Sequence, residues 1–319
     1  MRILHMLTLA LAMLAAGPTH AQTYPAKPIR LVVGYSPGGG NDVMARIVAA
    51  KLQDRLGQPV VVENKAGAQS IIAAELVAKA APDGYTLLVA PSGPMTINPA
   101  IYSKLPYAPR DDFAPVSLIA EFPLLLAVTA SLPVKTVPDL IAYARSRPQD
   151  ANYASSAAPF QLAAELFNQK TGSKFVHVPF KGSGDAVAAV ATGTVIMTIS
   201  DAGPIAAGLQ GGSIRALAVT SAARHPAFPG VPTMAEAGIA DMAITLWTGI
   251  VAPAGTPAPI IDRLQAEIAA VMRLPDVRER YASLGIDAVS STPQDYARRI
   301  ADDIARWTAI ARAADIKLN

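Results

Sequence analysis

The sequence predicts two α/β lobes, each a mainly parallel sheet flanked by helices. Three observations carry this expectation. Short β-branched runs alternate with segments of helical apolar spacing, the alternation occurs in two separate series, and each series holds one glycine loop between a strand and a helix. A length of 319 residues suffices for two such lobes with sizeable cores.

In the first series, Ile29 to Gly34 (IRLVVG) is a strand and Tyr35 to Asn41 a glycine loop. Asp42 to Leu56 then has helical spacing at Met44, Ile47, Val48 and Leu52. A strand at Pro59 to Val62, a helix at Ile71 to Ala80, an Asp83-Gly84 turn and a strand at Thr86 to Ala90 complete a βαβαβ pattern. The second series follows the apolar run Leu124 to Val128. Its helices are Val137 to Arg147, Gln161 to Lys170, Asp185 to Thr192 and Ile205 to Gln210. Its strands lie near Asn152 to Ala154 and at Phe175 to Val178, Val195 to Ile199 and Arg215 to Val219. After Pro253 the pattern turns helical, over Ile260 to Met272, Val277 to Leu284 and about Gln294 to Ala313. Thr292-Pro293 supplies an N-cap followed by proline at the first helical position. Pro226 to Pro232 and Pro253 to Pro259 suit connections.

Met1 to Ala21 has a basic start at Arg2, an apolar run from Ile3 to Ala16 and a small-residue exit at Thr19-His20-Ala21. That is the layout of a cleavable secretory leader, and the run is too short to span a bilayer. Export to the periplasm is the expectation. Cysteine is absent, which excludes disulfides, thiolate metal sites and a cysteine nucleophile. With 27 Lys plus Arg against 24 Asp plus Glu and no basic block, nothing favours a nucleic acid or an anionic membrane as partner. Beyond the leader the histidines are His177 and His225, each close to a proline and without metal-ligand spacing. Neither a metal nor a cofactor is expected.

The two glycine loops are Ser36-Pro37-Gly38-Gly39-Gly40-Asn41-Asp42 and Lys181-Gly182-Ser183-Gly184-Asp185. In a parallel sheet such loops lie at the carboxyl ends of strands, where ligands of open α/β folds bind. Glycine lets backbone N–H groups point at a ligand, and the following helix N-terminus favours an anion. Two facing loops would clamp one small anion; the alternative is a pair of plain tight turns. Neither loop fits a nucleotide fingerprint, since no Gly-Lys-Ser/Thr follows and Val43 stands where a third glycine would be required. Gly34-Tyr35-Ser36-Pro37-Gly38 does match the G-x-S-x-G of a hydrolase elbow, leaving an exported serine hydrolase using Ser36 as the rival reading. Against it, Pro37 has no N–H to offer an oxyanion and restricts the conformation of Ser36.

At these residues the chain resembles the substrate-binding receptors of tripartite tricarboxylate transporters, also called Bug-type receptors. The blocks that carry the resemblance run in order from Tyr24-Pro25-Ala26-Lys27-Pro28-Ile29 to Ala252-Pro253-Ala254-Gly255-Thr256-Pro257. Between them stand Pro37 to Asp42, Val60-Val61-Val62-Glu63-Asn64, Ala81 to Thr86, Ile97-Asn98-Pro99, His177 to Ser183 and Arg215 to Thr220. The resemblance implies a type II-like two-lobe periplasmic binding fold with the ligand cleft between lobes. It also implies a non-enzymatic, monomeric receptor that closes around a small organic acid and presents it to a membrane permease. Lobe 1 is expected over residues 22–123, completed by roughly 250–319, and lobe 2 over 124–249, with the return between about Pro226 and Pro293.

Carried over by position, the first loop contributes Ser36, Gly38, Gly39, Gly40 and Asp42, and the second contributes Lys181, Gly182 and Ser183. Ser92, Ser155, Ser156 and Asp201 serve the far end of the ligand; Tyr35, Phe160, Phe180 and Trp247 are candidate walls. The loop Ala154 to Phe160 departs from the family in being shorter and poorer in glycine. Asp185 stands where the family has a small residue or proline. It either faces solvent as a first-turn acid or faces the cleft and favours an amino or amide group on the ligand.

Overall fold

The computed structural model describes residues 24–317, and the leader expected over Met1 to Ala21 lies outside them. In chain order the elements begin with β1 (Ile29–Val33), α1 (Gly40–Leu56), β2 (Val60–Asn64), α2 (Ile71–Ala78) and β3 (Thr86–Pro91). A π-turn at Gly93–Ile97 and the short α3 (Asn98–Ile101) follow. Next come β4 (Phe113–Thr129), α4 (Val137–Ser146), β5 (Asn152–Ser155), α5 (Ala158–Thr171), β6 (Val176–Pro179) and α6 (Ser183–Ala191). The remainder is β7 (Met197–Asp201), α7 (Ala202–Gln210), β8 (Ile214–Val219), β9 (Thr245–Pro253), α8 (Ala258–Val271), α9 (Pro275–Ala282), β10 (Asp287–Ala288) and α10 (Pro293–Ala313).

Local chemistry sets several of these boundaries. The α1 helix stops at Gly57, which adopts φ 67° and donates to the Gln53 carbonyl; a side chain there would be strained. The expected start of α10 is found: the Thr292 hydroxyl accepts the Asp295 amide at 3.0 Å with Pro293 in the first turn. Helix α4 opens with a reciprocal capping box between Thr136 and Asp139.

β1 lies between β2 and β3, parallel to both, and its Leu31, Val32 and Val33 are fully buried. That is the pattern of a parallel strand covered on both faces. β5 is likewise parallel to β6 and β7. Both parallel βαβ units expected from the sequence are therefore present. They belong, however, to one ten-stranded mixed sheet of order β2-β1-β3-β9-β4-β7-β5-β6, with β8 and β10 also pairing β4. The joining strands are antiparallel. From Phe113 to Pro123, β4 pairs with β9, and from Leu124 to Val128 it pairs with β7. The sequence showed only the Leu124 to Val128 part of this strand.

The long strand is irregular before it crosses. Its register against β9 shifts between Pro115 and Ser117 and again between Leu118 and Ala120. Proline lacks the ladder donor, so a bulge is where it can sit inside a sheet. Ser291 ties this stretch down: its hydroxyl accepts the Leu118 amide at 3.0 Å and its amide donates to the Ser117 hydroxyl at 3.0 Å.

The crossing region is fastened by α10. Arg299 donates to Asp303 Oδ2 (2.8 Å) from its Nε, to Glu121 Oε1 (3.2 Å) and to the Thr245 hydroxyl (2.9 Å). Trp247 Nε1 donates to the same Asp303 oxygen at 2.7 Å, and the Trp247 ring meets the buried Tyr296 ring edge to face at 5.2 Å. Gly249 makes that packing possible, since a Cβ there would stand 2.5 Å from the Tyr296 ring. Burial pushes the Glu121 carboxyl up, and the Arg299 guanidinium opposes the shift. Arg299→Met keeps most of the stem and removes the guanidinium that donates to both Glu121 and Asp303. The loss should be on the order of 2–3 kcal/mol. Urea unfolding checks this, and an unchanged midpoint would show that α10 does not fasten the crossing.

Candidate ligand-binding site

The first glycine loop is built around a buried carboxylate. Asp42, 2% exposed, accepts the Gly38 amide (2.9 Å) and Arg46 Nε (2.9 Å) on Oδ2, and Asn64 Nδ2 (2.8 Å) on Oδ1. Asn64 also donates to the Tyr35 carbonyl at 3.0 Å. Gly38 adopts φ 81°, which lets its N–H turn back toward Asp42. Asp42, expected from the family resemblance to serve the ligand, is thus spent inside the loop, and it holds Gly38 with it. The Arg46 hydrogen bond brings the Asp42 carboxyl down to about 2, with the Gly38 and Asn64 bonds adding to it against burial.

What the loop leaves free is the start of α1. Gly39 is the N-cap and provides no side-chain cap. The amides of Gly40 and Asn41 belong to the first turn, which has no intrahelical acceptors. The Asn41 side chain is anchored by the Thr248 hydroxyl, which donates to its Oδ1 at 2.9 Å.

Beside this loop the chain holds three consecutive left-handed residues, Ala68, Gln69 and Ser70, with φ of 45°, 52° and 69°. Each is a costly conformation for a residue with a side chain. The turn rests on Gly34: a Cβ there would meet Ser70, including its Cα at 2.9 Å. Asn98 Nδ2 donates to the Gln69 carbonyl at 3.1 Å.

A cavity of about 450 Å3 opens between the two halves of the sheet. Its first wall comprises Tyr35, Gly38, Gly40, Asn41, Gln69, Ser92, Gly93 and Asn98; the second comprises Ala157 to Phe160 and Asp201 to Gly203. Phe122 and Leu246 lie at its base with Leu284, Gly285 and Ile286. Phe122 and Leu246 are direct partners across β4 and β9 and so share a face, while the next pair, Glu121 and Trp247, takes the other. Trp247 is accordingly fully buried in the core and forms no wall; its neighbour Leu246 does. Phe180 packs with the apolar cluster around Val187 and Ile205 instead.

Of the residues singled out from the sequence, the structure brings Tyr35, Gly38, Gly40, Ser92, Phe160 and Asp201 to this cavity. Ser36 and Gly39 stand exposed on the loop, where the Gly39 amide donates to the Ser36 carbonyl at 3.3 Å. Lys181, Gly182 and Ser183 lie outside the lining, as do Ser155 and Ser156. Ser155 is 3% exposed and 2.7 Å from His177 Nε2, and the Ser156 and Ser183 hydroxyls are 3.0 Å apart. Gly182 caps α6, and Asp185 is exposed in its first turn, in keeping with the solvent-facing alternative. The second half thus reaches the cavity through the start of α5 rather than through its glycine loop. Sequence reasoning missed Gln69, Asn98, Phe122 and Leu246, and set Asn41 aside although it stands within the first loop.

The lining is mostly apolar, with Asp201 its charged side chain. Among the described residues no group of His, Asp and Glu is arranged to hold a metal. The described histidines lie by Ser155 and by Asp287 (3.5 Å), so neither stands as a base for Ser36. The arrangement offers hydrogen-bond donors and an apolar enclosure, which suits binding.

The Asp42 network makes a pH-dependent contribution. The folded-state value of about 2 lies below the ordinary 3.8, so the stabilisation is complete above about pH 4 and is lost as pH falls toward about 2. Asp42→Asn should be less stable than the wild type at neutral pH, with the difference closing in that acid window. Chemical unfolding across pH checks this; a difference unchanged to about pH 2 would deny the carboxylate its role.

Comparison with known proteins bears on this arrangement. The family model described as "Tripartite tricarboxylate transporter family receptor" matches residues 44–316. BugT of Bordetella pertussis is 39% identical over 306 residues, covering 95% of this chain and 94% of its own. A Rhodopseudomonas palustris protein solved with adipate superposes with a TM-score of 0.82 at 39% identity, over 92% of this chain and 99% of its own. MatC from Rhodopseudomonas palustris, solved with bound malate, gives 0.78 at 33% identity over 90% and 99%. The family resemblance noted in the sequence holds across nearly the whole described chain, and with it the two-lobe α/β fold class. This chain belongs to the receptors of the tripartite tricarboxylate transporter family.

Proposed function

We propose that the protein is a periplasmic receptor that closes on a small carboxylate and presents it to a membrane permease. The observation that carries the reading is the cavity between the sheet halves, with the free first-turn amides of α1 on one wall. An anion there meets N–H donors and the positive end of a 17-residue helix. Adipate and malate in two relatives support a carboxylate ligand for this chain. Contacts from both walls to one ligand would favour a closed arrangement over an open one. The lobe limits expected from the sequence, 22–123 with a C-terminal completion and 124–249, stand within this proposal. In it, β4 leaves the first lobe near Pro123 and β9 returns to it. Periplasmic location rests on the Met1 to Ala21 leader and the family; no helix among the described residues is long and apolar enough to cross a membrane.

A thermal-shift screen of the chain without its leader, against carboxylates and their amides, tests the reading. A ligand at about 100 times its Kd adds roughly 2.7 kcal/mol of stability, visible as a raised Tm. Acids that shift Tm where the matching amides do not would support it, and a panel of acids without effect would count against it. The role of the α1 terminus has a sharper test. Gly40 is the first helical residue, Gly39 before it is extended (φ −72°, ψ 163°), and a Cβ at Gly40 meets nothing within 4 Å. Proline therefore fits there and deletes the N–H. Gly40→Pro should retain Tm and lose roughly tenfold or more in affinity, whereas Gly40→Ala, which keeps the N–H, should bind nearly as the wild type. Equal affinity in the two variants would place the carboxylate elsewhere.

A further inference from the structure

We propose that the ligand carries an amino group at the end opposite its carboxylate, and that Asp201 receives it. This rests on the receptor reading above and specifies its substrate class. Asp201 is the charged side chain among the described residues lining the cavity, and no Lys, Arg or His lines it. A second carboxylate inside would face Asp201 without a counter-cation. A protonated amine would supply the missing charge.

Three features assign Asp201 to the cavity rather than to the fold. It occupies the N-cap of α7, a position its residue type favours, yet its side chain caps no amide of that helix. The Ser200 hydroxyl donates to its Oδ1 at 2.8 Å, which orients the carboxylate and leaves Oδ2 for another donor. The residue ends β7 on the second wall, across the cavity from the α1 amides of the first. The lining is otherwise mostly apolar, with Ile97, Phe122, Phe160, Leu246 and Ile286 facing the space beside the neutral polar Gln69, Ser92 and Asn98 of the first wall. A carboxylate and an amine joined by a hydrocarbon or aromatic body match that set: N–H donors on one wall, a carboxylate acceptor on the other and a mostly apolar lining.

Calorimetric titration with length-matched probes tests this. The aliphatic set is 6-aminohexanoate, adipate and hexanoate, with shorter and longer ω-amino acids and diacids beside them; the aromatic set is 4-(aminomethyl)benzoate, terephthalate and 4-methylbenzoate. In the wild type the best amino acid should bind at least tenfold tighter than its matched diacid. Asp201→Asn should bring the ratio within about twofold. Asp201→Ser serves as a second variant should the first lose its fold. A diacid bound as tightly as its amino analogue in the wild type overturns the inference and leaves the receptor reading intact. So does a preference for the amine that survives both substitutions. Failure of every carboxylate to bind overturns both together.

Discussion

A single strand that belongs to both halves of the sheet constrains everything else in this molecule. Over Phe113 to Thr129, β4 passes from pairing with β9 to pairing with β7 and β8, so the backbone ladder never closes off one half before the other begins. Two parallel βαβ units, each with its own helices and apolar clusters, are thereby set side by side at a fixed join. The join is costly in loose ends, and the structure meets them individually. Beside the bulges the Ser291 hydroxyl takes the Leu118 amide and the Ser291 amide donates to the Ser117 hydroxyl, and the partly buried Glu121 is paired with Arg299 of α10.

The join also decides what the cavity is made of. Because side chains alternate along a strand, the pair Phe122 and Leu246 faces the space between the halves while Glu121 and Trp247 face α10. The cavity base and the fastening of the fold are thus neighbouring residues on opposite faces. Each wall then comes from strand ends, where backbone amides and short polar side chains collect. On the first wall a buried Asp42 organises the glycine loop, which frees the α1 terminus from having to hold its own loop in place.

Much of this was legible in the sequence, for identifiable reasons. The helices and parallel strands declare themselves through period and caps, as at Thr292-Pro293 and at the Ile29 to Val33 run. β9 did not, because it falls between the proline-rich connections Pro226 to Pro232 and Pro253 to Pro259 and is interrupted by Gly249, a glycine that admits the Tyr296 ring. The first half of β4 was hidden by Pro115 and Pro123, which sit at a bulge and at the crossing. At the site, glycines marked the first loop, but residue type could not show that Asp42 turns inward or that Lys181 to Ser183 stay off the cavity. Gln69 was out of reach altogether, since nothing in Ala68-Gln69-Ser70 announces a left-handed turn, for which Gly34 makes room by lacking a side chain.

In the proposed function the two halves close on one small acid around the shared strands. The chain has no cysteine, so two can be introduced cleanly, at the exposed Lys65 after β2 and the exposed Asp185 at the start of α6. Pulsed electron paramagnetic resonance between spin labels at these positions would measure the distance across the cavity with and without a saturating carboxylate found by the thermal-shift screen. A shorter and narrower distance distribution is expected in the bound protein. A distribution unchanged under conditions where calorimetry shows full occupancy would contradict it.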